Sequence, residues 1–378
     1  MMMAPPSSDF FDWPHLPPIM TQGDLDACLL HAARFGVTDV HISSFLPIKA
    51  RLHSRLHTAS PRRLGFSEVE ALLACVLGEQ APSTLGKGDD ADGDYSILVG
   101  DVRHRFRVNA TRIGVNDQPG VHITFRVHPS VPPRLADLGL PPKLQEKLLS
   151  LRRGLILITG AVGSGKTTLL AAYLRHVLED PDRHETVVEF ASPTEFVFDD
   201  IRSANSAIYQ SQVGRDIPSW ERAVRNGLRR GPTIVVTQET RDRAEMDATL
   251  ASAKTAALTL TTLHTTGVPE TVGRIVNLFP DDRKRTAYAD VISSLQLIVS
   301  QTLLPATDGT RVAAREWLAL DVNLKTALLD LSPNKTTNTL RTFVATSGQA
   351  FKQDVDDLLR QGKITPETHQ TFLTSYGA

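Results

Sequence analysis

Cysteine is nearly absent from the 378-residue chain: Cys28 and Cys75 are the only two, and they stand far apart in helix-like sequence. That excludes a disulfide framework and a four-cysteine metal site, and it suits a reducing compartment. Neither sign of charge dominates, since 41 Lys and Arg face 42 Asp and Glu for a formal net charge of −1. A chain whose main task is gripping nucleic acid is usually more basic, so that class is disfavoured. No apolar run approaches the roughly 18 residues that span a bilayer, so any membrane association is expected through partners. The opening stretch "MMMAPPSSDFFDWPHLPPIM" has no basic n-region and is broken by five prolines, which argues against a signal peptide or anchor. Residues 1–20 are expected to form a flexible tail. What is present is ordinary for a soluble globular protein: 41% hydrophobic and 22% charged residues, in a chain long enough for two cored domains.

The pattern changes along the chain. Thr21 and Asp24 form a capping-box-like start for a helix that Gly36 ends, with Leu25, Cys28, Leu29 and Ala32 on one face. "TDVHISS" reads as a strand, a second helix is expected to start at Ser67 with Glu70 three residues on, and "GKGDDADGD" (86–94) reads as a solvated loop. Strands at "YSILV", 102–113 and 120–127 complete an α+β domain over 21–127. "HPSVPPRL" (128–135) holds three prolines and marks a linker over 128–137. Beyond it, short apolar strands at 155–159, 186–190, 233–237 and 258–264 alternate with helices near 166–179, 219–230 and 244–255. That alternation predicts an α/β domain over 138–378, with a mostly parallel sheet covered on both faces. A helix-rich segment is expected from 281 onward, with an amphipathic helix over 349–364 that packs on its own domain or, as the alternative, contacts a partner or neighbour.

"GAVGSGKT" (160–167) fits G-x-x-x-x-G-K-[ST] at every fixed position, directly after an apolar strand and opening a helix. Gly160, Gly163, Ser164, Gly165, Lys166, Thr167 and Thr168 are therefore the candidate nucleotide-binding residues. Backbone N–H groups would turn around the phosphates, and the helix N-terminus adds a positive dipole end. Lys166 would reach the β- and γ-phosphates, and the Thr167 hydroxyl would ligate magnesium. The strand "TIVVT" (233–237) then meets Gln238 and Glu239, with no Asp where such a sheet usually offers one to hold Mg2+.

The remaining landmarks come in an order that resembles the type II/IV secretion-system ATPase superfamily, in its PilT-like branch. "SPTEFVFDD" (192–200) is similar to the acidic box, "QETRD" (238–242) to the Walker B turn, and "TLHTTGVPETVGRIVNLFP" (262–280) to the His box. "TDVHI", "RFRVNA" (105–110), "SSLQLIVSQTLLP" (293–305) and "DVDDLLRQGKI" also match, so the resemblance spans roughly residues 21–370. It implies a PAS-like N-terminal domain, a RecA-like P-loop domain with a helical C-terminal segment, and a homo-hexameric ring. It implies ATP and Mg2+ as ligands, with Glu195 positioning and deprotonating the attacking water. Glu239 would act through water on the metal, and His264 would sense the γ-phosphate. Arg105, Arg107 and Arg126 of the N-terminal domain would help neutralise phosphates, although alternating arginines on a half-exposed strand also read as a solvated face. Arg225 and Arg229 are candidates for the same pocket or for a subunit interface, or form a basic helix surface.

The chain departs from the family pattern in places. Ala191-Ser192-Pro193 replaces Glu-Asp-Pro, Gln238 replaces a glycine, the Walker B strand opens with Thr233, Ala256-Ala257 replaces Gly-His, and Lys254 replaces an acid. Both catalytic glutamates remain, so a working ATPase with slow turnover is expected. Within the branch, the motifs resemble the DotB/TraJ-like group of type IVB secretion and conjugal transfer. Such a protein would be cytoplasmic, held at the inner membrane by proteins of the transfer complex, with nucleic acid not a direct ligand. A pilus-retraction motor is the alternative. A non-hydrolysing ATP-binding scaffold would bind ATP without turnover, and a nucleic-acid translocase would show DNA-stimulated turnover.

Overall fold

The computed structural model describes residues 13–52, 55–100, 102–128, 131–255, 257–331 and 333–376. It comprises two units, Met1–Ser130 and Val131–Ala378. The first contains α1 (Gln22–Arg34), β1 (Asp39–Ser43), β2 (Pro47–Leu52), β3 (Arg55–Arg63), α2 (Phe66–Leu77), α3 (Ala81–Gly86), β4 (Ala91–Val99), β5 (Val102–Val115) and β6 (Gln118–His128). The strands form one antiparallel sheet in the order β3-β2-β1-β6-β5-β4. Phe106, Val108 and Ala110 of β5 turn to the helix side and join Leu25, Leu29, Leu72 and Leu73 in the core. The period of two sends Arg105, Arg107 and Asn109 to the opposite face.

Three expectations for this unit need correction. Residues 13–20 are not tail: Trp13, Leu16 and Met20 are buried in the core, while residues 1–12 lie outside the described residues. Glu68 holds this segment by accepting from the Met20 N–H at 2.7 Å and from Arg62 at 2.6 Å. The same carboxylate accepts from the Gly65 N–H at 3.3 Å, so α2 starts at Phe66 rather than at Ser67. The acidic stretch 86–94 is only partly loop, because β4 begins at Ala91 and runs through it.

The second unit begins with a short 3-10 helix (Leu135–Leu138) that overlaps the end of the expected linker, and its Leu135 is buried in the core below. There follow α4 (Pro142–Ser150), β7 (Gly154–Thr159), α5 (Lys166–Glu179), β8 (Thr186–Ala191), β9 (Ala207–Gln212), α6 (Trp220–Leu228), β10 (Ile234–Glu239), α7 (Arg243–Ala253) and β11 (Leu258–Leu263). Next come α8 (Val268–Val276), α9 (Asp281–Ser294), β12 (Leu295–Pro305), β13 (Arg311–Ala319), α10 (Val322–Leu329), α11 (Pro333–Ser347), α12 (Phe351–Arg360) and α13 (Pro366–Tyr376). The sheet order is β13-β12-β7-β11-β10-β8-β9, parallel throughout except that β13 runs antiparallel to β12.

β7 and β11 are buried along their whole length, as strands between two helical layers are, although β11 carries Thr259, Thr261 and Thr262 among its leucines. Ile156, Ile158, Val236 and Leu260 face α5, while Leu155, Leu157 and Ile298 face α7, α8 and α9. The segment from 281 onward is therefore not wholly helical: β12 and β13 extend the sheet. α12 packs on its own unit, with Phe351, Val355 and Leu358 against Leu304, Ala314 and Phe372.

Candidate functional site

The carboxyl ends of β7, β8, β10 and β11 lie side by side, and the turns leaving them carry the candidate residues. After β7 the chain needs backbone angles that favour glycine: Gly160, Gly163 and Gly165 have φ of 143°, 75° and 84°. A Cβ at Gly160 would also lie 2.2 Å from the Gln301 carbonyl oxygen. Gly160→Ala is accordingly expected to cost on the order of 3 kcal/mol of stability, from strain and overlap together, read as a lowered midpoint in denaturant titration. Ser164 is buried with an unpartnered Oγ, Lys166 is buried, and Thr167 and Thr168 are half-buried at the start of α5.

Lys166 Nζ donates to the carbonyls of Gly160 and Ala161, at 2.9 Å each, and lies 3.2 Å from His264 Nδ1. His264 Nε2 in turn pairs with Glu239 Oε1, which assigns the imidazole proton to Nε2, with Nδ1 as acceptor. Glu239 Oε2 accepts from Arg241 at 2.5 Å. Burial opposes ionisation of Glu239, but the hydrogen bond and charge of Arg241, with His264 and Lys166, hold its carboxyl below the ordinary range. Burial pulls the Lys166 ammonium down, against the attraction of Glu239 and Glu195.

The turn that aims Glu239 is braced from behind by buried hydroxyls. Thr240 Oγ1 contacts Thr261 Oγ1 at 2.8 Å, Thr237 Oγ1 contacts Thr249 Oγ1 at 2.8 Å, and Thr262 Oγ1 donates to the Gln238 carbonyl at 2.8 Å. Glu245 accepts from the Arg241 N–H. The Thr262 hydroxyl acts on the backbone of the turn, while the other two contacts tie β10 and its turn to α7 and β11.

Between the turns lies a cavity of about 20 Å³, lined by Thr167, Ser192, Pro193, Glu195, Trp220, Gln238, Glu239, Arg241 and Glu245. The space holds about one water-sized occupant, and its hydroxyl and carboxylate oxygens are the donors a hard cation takes. Among the described residues no group of three His, Cys, Asp or Glu side chains could hold a metal alone. Mg2+ keeps waters and substrate phosphates in its shell, so it needs few protein ligands, and it would supply charge neutralisation there. Thr167 and Glu239, the latter through water, are the residues that would hold it. A second cavity of about 650 Å³ flanks the loop on the other side, against Gly165, Thr168, Gln301, Leu303 and Leu138.

Glu195 is reached from β8 through a loop that is itself clipped. Gln210 Nε2 on β9 donates to Glu189 Oε2 at 2.6 Å and to the Phe196 carbonyl at 2.8 Å. Glu189 is fully buried, and burial, opposed by Gln210 and aided by Glu195, pushes its carboxyl up to about 7. With the folded value raised, stability is full below the unfolded value near 4.5 and is lost as pH rises through about 7. Glu189→Gln should therefore melt with the wild type at pH 5 and be more stable at pH 8, by on the order of 3 kcal/mol. A melting-temperature difference that does not change with pH would contradict this.

The structure thus brings Lys166, Thr167, Glu195, Glu239 and His264 together. It also adds Arg241, Glu245, Gln301 and Gln210, which the sequence reading did not single out as site residues. Arg105, Arg107 and Arg126 lie on the other unit. Arg107 stands opposite both Asp94 and Arg126 in the sheet, Arg105 is 4.0 Å from Asp94, and Arg126 Nε donates to Asp39 Oδ1 at 2.8 Å. Arg225 is spent on an exposed pair with Glu221 at 2.8 Å. Of the substituted positions, Ala256 lies outside the described residues, Ala257 is buried in the apolar layer under α6, and Lys254 pairs with Asp290 at 2.6 Å.

A family model described as "Type II/IV secretion system protein" matches residues 24–341. The chain belongs to this family. The type IV pilus retractation ATPase PilT of Pseudomonas aeruginosa is 32% identical over 293 residues, covering 78% of this chain and 81% of that protein. The X-ray structure of the Legionella pneumophila ATPase DotB superposes with a TM-score of 0.86 at 34% identity, over 96% of this chain and 98% of that one. The crystal structure of the pilus retraction motor PilT with bound ADP gives 0.76 at 28% identity, over 90% and 94%. The family member described here therefore lies in the PilT-like branch, close to DotB, and the two folds of its units are those of that branch. Among its described residues no helix is long and apolar enough to cross a membrane.

Proposed function

We propose that the protein is a Mg-ATP-hydrolysing motor of a type IVB secretion or conjugal transfer apparatus, working as a homo-hexameric ring on its cytoplasmic side. The observation that carries this is the convergence of Lys166, Thr167, Glu195, Glu239 and His264 on adjoining turns at the carboxyl edge of a parallel sheet. Lys166 would exchange its two loop carbonyls for β- and γ-phosphate oxygens. Glu195 would orient the attacking water and take its proton, and Glu239 would hold the metal's water shell. His264, between Lys166 and Glu239, would register whether a γ-phosphate is present. The 650 Å³ cavity beside Gly165 and Thr168 is of a size for the nucleoside end. Arg105, Arg107 and Arg126 would add positive charge on domain closure, and cyclic closure and opening would be passed to partner proteins of the inner-membrane complex.

The DotB likeness over nearly the whole chain supports the transfer-system reading. The PilT relative, and the PilT structure holding ADP, favour a pilus-retraction motor as the second reading. The ring is tested by phosphate release per subunit over a protein concentration series, beside sedimentation velocity with Mg-ATP. Turnover that rises together with a hexamer-mass species supports a ring motor. Constant turnover from a monomer rejects it, and ATP binding without turnover leaves a scaffold.

A further inference from the structure

Arg315 on β13 is only 2% exposed, yet among the described residues its guanidinium donates to an amide oxygen and two carbonyls rather than to a carboxylate. Its Nε donates to Gln301 Oε1 at 2.8 Å, and its terminal nitrogens donate to the carbonyls of Leu138 at 2.9 Å and Gly139 at 3.3 Å. Its backbone N–H donates to Asp354 Oδ2 on α12 at 2.7 Å. Gln301 completes the path, since its Nε2 donates to the Ser164 carbonyl inside the phosphate loop at 2.7 Å. The guanidinium and the Gln301 amide therefore join the loop, β12 and the end of the 3-10 helix, and the Arg315 backbone N–H adds α12 to the same residue. Gln301 also presses on two loop glycines: a Cβ at Gly160 would meet its carbonyl at 2.2 Å, and one at Gly165 would meet its Nε2 at 2.7 Å.

A buried cation is a poor source of stability, because desolvation offsets what its contacts return. Burial lowers the Arg315 value to about 10, with Asp354 opposing that shift. Every donor of this costly group that makes a contact serves to fix one amide orientation or one backbone turn. The Gln301 amide could flip if nothing held its oxygen, and a flipped amide would turn an acceptor toward the Ser164 carbonyl.

We propose that Arg315, acting through Gln301, is a positioning residue for the phosphate loop, and that Asp354 ties the seating of α12 to the same contact. This rests on the nucleotide-binding reading of that loop. The device sets loop shape before any phosphate arrives, so its loss weakens nucleotide binding more than it weakens the fold.

The test uses the full-length protein, a fluorescent ATP analogue with Mg2+, and thermal melting. Gln301→Glu keeps an acceptor for Arg315 but loses the donor to Ser164. Arg315→Lys keeps the charge but loses the fork. Asp354→Asn keeps an acceptor for the Arg315 N–H. Each of the first two is expected to raise Kd about tenfold, with a melting transition that stays cooperative, and Asp354→Asn about threefold. The Gln301→Glu/Arg315→Lys double variant should be no weaker than the worse single, because both changes cut one path. Additive losses, or an unchanged Kd in folded single variants of a protein that binds ATP, would overturn the proposal alone. If wild type shows no Lys166-dependent binding, both this proposal and the nucleotide reading fall.

Discussion

Lys166→Ala is expected to weaken binding of Mg-ATP by about a hundredfold or more and to bring turnover to background. The ammonium is buried, and it is poised by two loop carbonyls at 2.9 Å, close to where phosphate oxygens would lie. Each charge-assisted hydrogen bond to phosphate contributes about 1.5–3 kcal/mol, and two such bonds correspond to at least a hundredfold. The variant also leaves the Gly160 and Ala161 carbonyls and His264 Nδ1 without their shared donor, so loop order suffers with affinity. Equilibrium binding of a fluorescent ATP analogue measures the first effect and phosphate release the second. Binding within a few-fold of wild type would remove Lys166 from the phosphate site.

Glu239→Gln separates chemistry from binding. Its carboxylate is held ionised by Arg241 and is linked through His264 to Lys166. The amide is nearly isosteric and keeps one acceptor oxygen, so ATP affinity is expected to stay within about threefold. Turnover should fall by about 10²–10³, the range for removing a positioned carboxylate from a hydrolytic site. Equal losses in binding and turnover would mean that Glu239 only supports the fold through Arg241. Retention of wild-type turnover would place the catalytic carboxylate elsewhere, with Glu195 the first candidate.

Much of this site was legible because its chemistry is local in sequence. The motif "GAVGSGKT" needs a preceding strand and a following helix, and both were visible in the apolar run at 155–159 and the helical pattern after it. Glu195, Glu239 and His264 each end or follow a buried strand, and parallel pairing brings those ends to one edge. The parts that were not legible depend on distant contacts. β3 and β9 are edge strands, with one buried residue between them, Ser60, so neither carries an apolar period to read. β12 was visible as the motif "SSLQLIVSQTLLP" but not as a strand, since a short apolar run reads equally well as buried helix. Gln301 and Arg315 had no signal of their own, because their partners lie 137 and about 177 residues away. Trp13, Leu16 and Met20 were hidden by the surrounding prolines, which suggested a tail although the segment packs.

The loss of Glu-Asp before Pro193 and of Gly-His before Leu258 bears on rate more than on binding. The structure fills some of these places with other contacts, such as the Lys254–Asp290 pair and the apolar packing of Ala257. Neither replacement supplies a carboxylate or an imidazole to the site. Slow turnover is therefore the expected result in a phosphate-release assay, with ATP binding retained.

The most direct measurement is steady-state phosphate release by the purified protein with Mg-ATP, run beside Lys166→Ala and Glu239→Gln, with analogue binding on all three. Slow but measurable turnover in the wild type is expected to vanish in both variants while Glu239→Gln still binds. Release by the wild type no faster than by Glu239→Gln, with Lys166-dependent binding intact, would contradict the motor and leave an ATP-controlled scaffold.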